Sequence, residues 1–496
     1  MRNFLSILEE TSPSDPGKDK VSQLINRIDA AISFGLLRAG EKLPSEQQLS
    51  EMLQVSVPTL REALAALRDD GVIETRRGRY GGSFLVGTAD SWKHRGEMLL
   101  QSMTMAELRD LEDHSLAVFA ASATQASRRG TAADFQRLRH LLGALKSSTS
   151  PSQMAVNDSR FHIEIAVISQ SMHLTHAAVR IRSRLAPLLW SNPENDGVME
   201  RAFAHYSAVI EALQENDSAR ATELIEAHLR EVFSHLIQLK LRALQRERGE
   251  SAKSSKDAIR YIFAGLVANL TKNAHMVARS LAFPSRSAGS EPFSSMLVSN
   301  FSMAVLEAFP MVAGAGAMLA SPPVPDAPEC HYWWAKNQQG VVNRLIMDTT
   351  SGTDRFYDYQ SMPWFAEARQ SRTPILDGPY VDYLGYDQYI VTVSVPIESD
   401  SGDFLGIFGV DILVGELEKV LVPLLHDLDL KDATVVNEVG RVVVGGAPHL
   451  VSGELLAGFD ARQAVALSPD SLGIYLVGVD SQIESDRSGR FDELVS

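Results

Sequence analysis

The sequence predicts a multidomain chain: a small helical head with a basic hairpin, then an all-helical bundle, then an α+β domain whose antiparallel sheet follows a long helix. Three observations predict this order. Helical apolar spacing is followed by short glycine-flanked strands up to residue 86, helical patterns alone continue from about residue 91 to residue 244, and strand patterns dominate from residue 312. A length of 496 residues, with 45% hydrophobic and 22% charged residues, fits a globular chain of about three domains.

Composition and charge exclude several classes of protein. The formal net charge is −15, so nucleic acid could be bound through a local basic patch but not over the whole surface. The single cysteine, Cys330, excludes a disulfide framework and a cysteine-based metal cluster, which is typical of a reducing cytosol. The start of the chain lacks the pattern of a signal peptide, and the apolar run Phe309–Ala320 is too short and glycine-rich to span a bilayer. The sequence therefore predicts a cytoplasmic protein without membrane contact.

The stretch from Ala39 to Val86 predicts two helices joined by a short turn. Ser45 is placed to cap the first helix, and Gln48, three residues later, can return the bond as a capping box. Ser56 can cap the second helix, where Pro58 in the first turn removes no needed hydrogen bond. Apolar residues recur at helical spacing along both helices: Leu49, Met52, Leu53, Leu60, Ala63, Leu64 and Leu67. The second helix therefore turns a polar side outward.

A basic hairpin follows the second helix. Gly71 ends the helix, and Val72–Thr75 and Ser83–Val86 predict two short strands around a run of arginines and glycines. Two helices at a sharp angle followed by such a hairpin indicate a winged helix-turn-helix, whose second helix fits the major groove of DNA. The residues placed to contact DNA are Ser45, Glu46, Ser56, Pro58, Thr59, Arg61, Arg76, Arg77, Gly78 and Arg79.

The segments LPSE, PTLREAL, DDGVIE and RRGRYGGSFL resemble the GntR family of bacterial transcription regulators. The resemblance implies a homodimer that binds a palindromic operator in double-stranded DNA. Two positions depart from the family pattern, since Gln47 and Val57 stand where the family usually has arginine. Both positions normally touch DNA in the family, so the operator read here is expected to differ or to be bound more weakly, while Arg61 and the hairpin keep their place.

The middle of the chain predicts an all-helical bundle with polar side chains inside it. Helical patterns cover Met103–Arg128, Thr131–Lys146, Pro151–Ile168, His173–Trp190, Glu200–Gln214 and Ser218–Leu244. Asp158 and His162 stand four residues apart on one helix face, and His205 and His228 lie on the inward stripes of two later helices. Three histidines and one carboxylate suit zinc, nickel or a similar divalent ion with open positions for a ligand. Each histidine alone would more often be a hydrogen-bonded core residue.

The patterns DxxFH, HxxxxxEA and EAHL, which contain these four residues, resemble the FadR C-terminal domain, abbreviated FCD. The resemblance implies that the four residues are metal ligands, with His235 as the alternative if one is misassigned. It also implies a small carboxylate effector held with the help of the metal, and a dimer interface formed by the bundle. Arg109 and Arg182 are candidate partners of that carboxylate, and either could instead be a surface charge.

The last part of the chain begins after a polar junction between Ala243 and Asp257. Long helical patterns precede strand patterns, in the order Ala258–Leu281, Pro292–Ala308, Val312–Leu319, Val341–Asp348, Tyr389–Pro396, Phe404–Ile412, Ala433–Asn437, Arg441–Val444 and Gly473–Val479. With YDYQSMPWFAEA, GPYVDYLG, VTVSVPI and GDFLGIFGVDI, this order resembles the Cache domain, a small-molecule sensor with a PAS-like antiparallel sheet. The predicted domains are 1–89, 90–245 and 257–482, with a polar tail at 483–496.

The Cache resemblance also implies a ligand site. The family's amino-acid-binding version uses a Tyr, an Arg-x-Trp-Tyr group, a Tyr-x-Asp pair and a later Asp. The matching positions are Tyr357, Trp364, Phe365, Tyr380, Asp382 and Asp411. Met362 stands in place of the arginine, and methionine cannot clamp a carboxylate.

Carboxylates and aromatic rings remain at this site, which favours a ligand with an ammonium group, such as a biogenic amine or a quaternary ammonium, over an α-amino acid. The alternative is that the aromatic cluster is ordinary core. Trp333 and Trp334 are adjacent, so at most one of them faces the site from a strand.

Three functions compete on these patterns. The first is a DNA-binding transcriptional regulator in which an effector changes the relative placement of two heads, because the second helices must meet half-sites about 34 Å apart. The second is an enzyme fused to the head, using pyridoxal phosphate or the metal, but neither the alternating fold with its Schiff-base lysine nor a general base beside the metal is found in the sequence. The third is a sensor or scaffold without its own operator, which Gln47 and Val57 keep open. The sequence favours the regulator and predicts no enzyme activity.

Overall fold

The computed structural model describes residues 20–35, 37, 40–78, 81–86, 89–189, 198–246, 255–282, 295–322, 330–337, 340–348, 357–382, 388–428, 430–467 and 472–478. The chain forms two compact units, one built mainly from residues up to Lys240 and the other from Leu241 onward. No helix among the described residues is long and apolar enough to cross a membrane.

The head begins the first unit and has the predicted winged helix-turn-helix. Its elements are α1 (Lys20–Ser33), α2 (Glu46–Leu53), α3 (Val57–Asp69), β1 (Ile73–Arg76) and β2 (Gly82–Leu85). Ser45 and Gln48 form the capping box at the start of α2, and the Ser56 hydroxyl accepts the Thr59 N–H at the start of α3. The end of α3 is a Schellman motif: Gly71, at φ +69°, donates to Arg68 O, and Val72 donates to Leu67 O. The turn at Gly71 is what directs the chain from α3 into the hairpin.

The bundle completes the first unit. Its helices are α4 (Ala89–Ser102), α5 (Met105–Arg129), α6 (Ala132–Lys146), α7 (Pro151–Ile168), α8 (Met172–Leu188), α9 (Val198–Gln214) and α10 (Ser218–Arg246). Six of these helices follow the sequence patterns closely, whereas α4 was not recognised as a separate helix. Its sequence, ADSWKHRGEMLLQS, carries little apolar periodicity because its buried side includes an arginine.

Head and bundle share one apolar core. Trp92 of α4, Ala155 of α7 and Val179 of α8 belong to the same cluster of buried residues as the core of the head. Helix α1 packs against α3 within the head and against α7 and α8 of the bundle. Gly35, at the end of α1, lies so close to the bundle that a methyl group there would come within 3.2 Å of Val156 and Arg160. The two parts of this unit are therefore joined by packing as well as by the chain.

The second unit is the predicted α+β domain. Helices α11 (Ser255–Ala282) and α12 (Ser295–Ala308) pack on a six-stranded antiparallel sheet. Its remaining elements are β3 (Val312–Leu319), β4 (His331–Lys336), β5 (Val342–Leu345), α13 (Pro363–Ser371), β6 (Ile375–Asp382), β7 (Gln388–Glu398), β8 (Phe404–Leu413), α14 (Val414–His426), β9 (Thr434–Asn437), β10 (Val442–Gly445), β11 (Val465–Ala466) and β12 (Ile474–Val477). Strands β3 to β8 form the six-stranded sheet in the order β5-β4-β3-β8-β7-β6, and the last four strands form a second sheet in the order β10-β9-β12-β11.

Strands β4 and β6 of the large sheet were not predicted. Strand β4 reads HYWWAK without alternation because both faces of the sheet are covered there: Trp333 and Trp334 are 5% and 8% exposed on opposite faces. Strand β6 reads ILDGPYVD, in which a bulge between Asp377 and Tyr380 interrupts the pattern. Both strands contribute side chains to the candidate ligand site.

Candidate functional sites in the head, bundle and sensor

The outward side of α3 and the hairpin present exposed arginines. The Arg61 side chain is 65% exposed, and its Nε lies 2.7 Å from Glu46 Oε2. Arg76 forms an ion pair with Glu74 and lies over the Phe84 ring, with its guanidinium carbon 4.3 Å from the ring centroid. Exposed ion pairs are weak, so these guanidiniums can exchange their carboxylates for phosphates or base edges.

The other predicted contact residues border these arginines. Pro58, Arg77 and Gly78 are exposed. The Ser45 and Ser56 hydroxyls cap α2 and α3, so their established contacts are within the head. Arg79 lies outside the described residues.

A cluster of buried polar side chains lies inside the bundle. Asp158 forms an ion pair with Arg182 through one carboxylate oxygen and accepts a hydrogen bond from the Tyr206 hydroxyl on the other. The ligand atoms of Asp158, His162 and His228 all lie within 4.8 Å of one another. Helix α7 brings Asp158 and His162 together by their spacing of one turn, α8 supplies Arg182, α9 supplies Tyr206 and α10 supplies His228.

The hydrogen bonds of this cluster assign the histidine tautomers. His162 Nδ1 lies 2.9 Å from Asp158 O, a carbonyl that can only accept, so Nδ1 carries the proton and Nε2 a lone pair. Tyr206 gives its single proton to Asp158, so His228 Nε2, 2.8 Å from the same hydroxyl, must be the donor and Nδ1 carries the lone pair. Both lone-pair nitrogens are buried and have no hydrogen-bond partner among the described residues.

Burial and charge keep both histidines neutral and the carboxyl ionised. Burial lowers the pKa of His162 to about 4 and the pKa of His228 well below its usual value. Burial would raise the pKa of Asp158, but the Arg182 guanidinium and the hydrogen bond from Tyr206 hold it down at about 2. Two neutral imidazoles with buried lone pairs and one carboxylate are a suitable donor set for a divalent metal ion.

The fourth predicted ligand, His205, borders this group without joining it. Its ring centroid is 6.0 Å from that of His228, and its Nδ1 lies 3.9 Å from Glu231 Oε2. His235 and Arg109 are half-buried and are not part of the cluster. The role of Tyr206 was missed, because a tyrosine on an apolar helical stripe is typical of ordinary core.

The α+β unit has a cavity at one face of its large sheet. Side chains from β3 to β8, α13 and the segment before it line the cavity: Met318, His331, Trp333, Leu345, Met347, Tyr357, Trp364, Tyr380, Asp382, Ile390, Thr392 and Asp411. Five of the six predicted ligand residues are in this set. Phe365 is not, because it follows Trp364 on the first turn of α13 and points into the core, where its ring makes edge contacts with Tyr359 and Phe404.

A chain of hydrogen bonds holds the acidic end of the cavity. Thr392 on β7 stands directly opposite Asp411 on β8, and its hydroxyl donates to Asp411 Oδ1 at 2.7 Å. The Tyr380 hydroxyl lies 2.7 Å from the Thr392 hydroxyl and therefore donates to it. Burial and the Asp411 carboxylate raise the pKa of Tyr380, which keeps the phenol protonated. Among the described residues, no lysine or arginine lines the cavity.

Three families match this chain. Residues 20–81 match "Bacterial regulatory proteins, gntR family", residues 116–231 match "FCD domain", and residues 306–419 match "Methyl-accepting chemotaxis protein-like, first PDC sensor domain". The "Putative HTH-type transcriptional regulator RmpR" of Mycobacterium gastri is 39% identical over 228 residues, which are 46% of this chain and 83% of the relative. The chain belongs to the gntR family of bacterial regulatory proteins.

Two further proteins resemble this chain at lower identity. The "Putative L-lactate dehydrogenase operon regulatory protein" of Escherichia coli (strain K12) is 30% identical over 215 residues, which are 42% of this chain and 82% of the relative. The solved structure of E. coli McbR/YncC aligns with 45% of this chain and 98% of its own, at 18% identity and a TM-score of 0.29.

These matches confirm the predicted order of a GntR head, an FCD bundle and a Cache-like PDC sensor. This GntR protein is a transcriptional regulator of the type that responds to small-molecule effectors. FCD domains bind metals, and the buried Asp158, His162 and His228 lie within the FCD match. Tyr357, Tyr380 and Asp411 of the cavity lie within the PDC match.

Proposed function

We propose that this GntR regulator acts in the cytoplasm as a homodimer whose two heads read a palindromic operator through α3 and the hairpin. The observation that carries the proposal is the exposed guanidinium of Arg61 in the first turns of α3, since arginine is the residue that most often reads guanine in the major groove. Arg76, Arg77 and Gly78 extend this surface along the hairpin toward the phosphate backbone, and Arg79 continues it in the sequence. In a dimer, the α3 helices would meet half-sites about 34 Å apart.

The bundle is proposed to hold a divalent ion, zinc or nickel, through Asp158, His162 and His228. The lone pairs on the two imidazoles and the ionised carboxyl support this assignment. His205 is proposed as the fourth ligand, reached by rotation of its side chain, because it borders the group on the next helix. The ion would supply a Lewis-acidic position for a carboxylate effector, and Arg182 would hold the second oxygen of that carboxylate after leaving Asp158.

The sensor cavity is proposed to bind an amine. Asp411 and Asp382 supply negative charge, and Tyr357, Trp364 and Tyr380 supply aromatic faces, each of which contributes roughly 0.5–2 kcal/mol toward an ammonium group. Apolar side chains such as Met318 and Ile390 line the rest of the cavity and suit a ligand with an apolar body.

The test of the regulator is selection of genomic DNA fragments by the full chain, followed by affinity measurements on the selected duplex. Arg61→Ala is expected to weaken binding by about 1–3 kcal/mol, because it removes a direct contact from α3. Arg220→Ala is the matched control, since Arg220 is an ion-paired surface arginine of the bundle, 3.7 Å from Glu215. Binding that Arg61→Ala leaves unchanged would show that α3 is not the reading helix.

A further inference from the structure

One arginine of the bundle holds two carboxylates of the head. Arg95 of α4 donates to Asp29 of α1 from Nη2 at 2.6 Å and from Nε at 3.4 Å, and its Nη1 donates to Asp70 at 2.8 Å. The side chains of Arg95, Asp29 and Asp70 are 8%, 2% and 16% exposed. The three charges form a buried triad that joins α4, α1 and the end of α3.

Asp70 occupies a position where a carboxylate needs a cation. It is the C-cap of α3, and its own N–H donates to Ala66 O. A negative charge at the C-terminal end of a helix adds to the negative pole of the helix dipole, which is unfavourable. The guanidinium of Arg95 offsets both this charge and the charge of Asp29, whose burial would be costly without a partner.

Helix α4 is held at its other end by a buried lysine. Lys240 of α10 is 4% exposed, and its Nζ donates to Gln101 O at 3.1 Å and to Leu100 O at 3.4 Å in the last turn of α4. Trp92, one turn before Arg95, is 2% exposed in the core shared by head and bundle. Helix α4 therefore has a charged contact with the head at its middle and a charged contact with the rest of the bundle in its last turn.

We infer that Arg95 is a positioning residue for DNA recognition, which acts through Asp70 to fix the C-terminal end of α3 at one angle to α4. This inference rests on the proposed function, in which α3 reads the operator. Arg95 belongs to α4, Asp70 is on the side of the head turned toward α4, and both side chains are largely buried, so they act without touching DNA. A change in the bundle that moves α4 then changes the direction of α3.

The triad is poorly suited to a role in stability alone. Buried ion pairs and triads are often replaced by apolar residues of similar volume with no loss of stability, because desolvation offsets their attraction. The head already has an apolar core that includes Leu60, Leu64 and Leu67 of α3. What the triad adds is geometry, since a planar guanidinium holds two carboxylates in fixed directions.

The experiment compares Asp70→Ala with Asp70→Asn in the full chain. Both remove the same negative charge, which by itself would strengthen DNA binding, but only asparagine keeps an oxygen that accepts from Arg95 Nη1. On the duplex selected by the wild-type protein, Asp70→Ala is expected to bind about 10-fold more weakly and Asp70→Asn within about 3-fold of the wild type. Affinity for a scrambled duplex and the melting temperature are expected to change little, which a merely structural defect would not allow.

Two further variants sharpen the result. Asp69→Ala, at the exposed neighbouring position, is the control and is expected to bind like the wild type. Arg95→Lys keeps the charge but cannot hold both carboxylates, so it is expected to lower the affinity for the selected duplex as much as Asp70→Ala does. The double variant Arg95→Lys/Asp70→Ala is expected to lose no more affinity than either single variant.

The possible outcomes separate this inference from the proposed function. If the wild type selects a duplex, and Arg61→Ala weakens binding to that duplex while Asp70→Ala does not, the inference is wrong and the proposed function stands. The same holds if Asp70→Ala lowers specific and scrambled binding equally together with the melting temperature. A wild-type chain that selects no DNA overturns both.

Discussion

At the scale of single residues, the bundle shows how a metal-type donor set is prepared by its neighbours. Tyr206 uses its one proton on Asp158 and so requires His228 to donate from Nε2, which leaves a lone pair on the buried Nδ1. The carbonyl of Asp158 accepts a hydrogen bond from His162 Nδ1, which leaves the lone pair of His162 on Nε2. Residues that fix the tautomer of a ligand in this way usually matter to metal affinity nearly as much as the ligands themselves.

Metal analysis of the purified protein is expected to find about one divalent ion per chain, because the cluster holds one set of donors. His228→Ala is expected to lose the ion, and Tyr206→Phe to weaken binding by about 10–100-fold. His275→Ala, at an exposed histidine of α11, is the control and should retain the ion. Full metal content in His228→Ala would contradict the assignment of the ligands.

Sequence spacing was sufficient to predict some members of this cluster but not the others. Asp158 and His162 are one helical turn apart, so any helix brings them together. Arg182 and Tyr206 reach the same carboxylate from α8 and α9, and nothing in their own segments specifies which residue of α7 they meet. Contacts between helices depend on how the helices pack, and packing is not encoded in a local pattern.

At the scale of elements, helices with clear caps were predicted well and elements with buried polar or unbroken apolar patterns were not. The caps at Ser45 and Ser56 and the stop at Gly71 are local chemistry, and the structure has all three. Helix α4 was missed because its inward side carries Arg95, which reads as a surface residue until Asp29 and Asp70 are known to face it.

Gly71→Ala tests the element that turns the chain from α3 into the hairpin. Because Gly71 has φ +69°, a left-handed conformation, alanine there is expected to lower the free energy of unfolding by about 1–2 kcal/mol. Gly143→Ala is the matched control, since Gly143 lies inside α6 with no atom within 4 Å of an added methyl group, and it should raise stability by about 0.5–1 kcal/mol. Equal melting temperatures for the two variants would contradict the role of Gly71.

At the scale of the whole molecule, the chain joins a DNA-reading unit to a separate unit with its own cavity. The resemblance to the Cache motif predicted five of the residues that line the cavity, because the motif residues follow one another along the chain in the same order as in the family. For Trp333 and Trp334 the sequence predicted that at most one faces the site, and the structure has Trp333 there. His331 and Thr392 were not predicted, because they enter from β4 and β7 and the antiparallel sheet order, β4-β3-β8-β7, is what brings them to one face. Sheet order is a long-range property that no single segment carries.

A thermal-shift screen of the full chain is expected to find amines and not α-amino acids. A ligand at about 100 times its Kd adds about 2.7 kcal/mol to the stability of the unit that binds it. Asp411→Ala is expected to abolish the shift and Thr392→Val to reduce it, because Thr392 holds the carboxylate in place. Asp400→Ala, at an exposed turn position, is the control. A screen in which only α-amino acids shift the melting temperature would contradict the proposal that the cavity binds an amine.

The placement of Trp333 and Trp364 gives the regulator an intrinsic optical signal. The chain has five tryptophans, and these two line the cavity while Trp334 points to the other face of the same sheet. Indole emission responds to polarity and to nearby charge, so entry of a ligand should alter the total tryptophan fluorescence through Trp333 and Trp364. Occupancy of the cavity could thus be followed by titration without any added dye, in parallel with measurements of DNA-binding affinity.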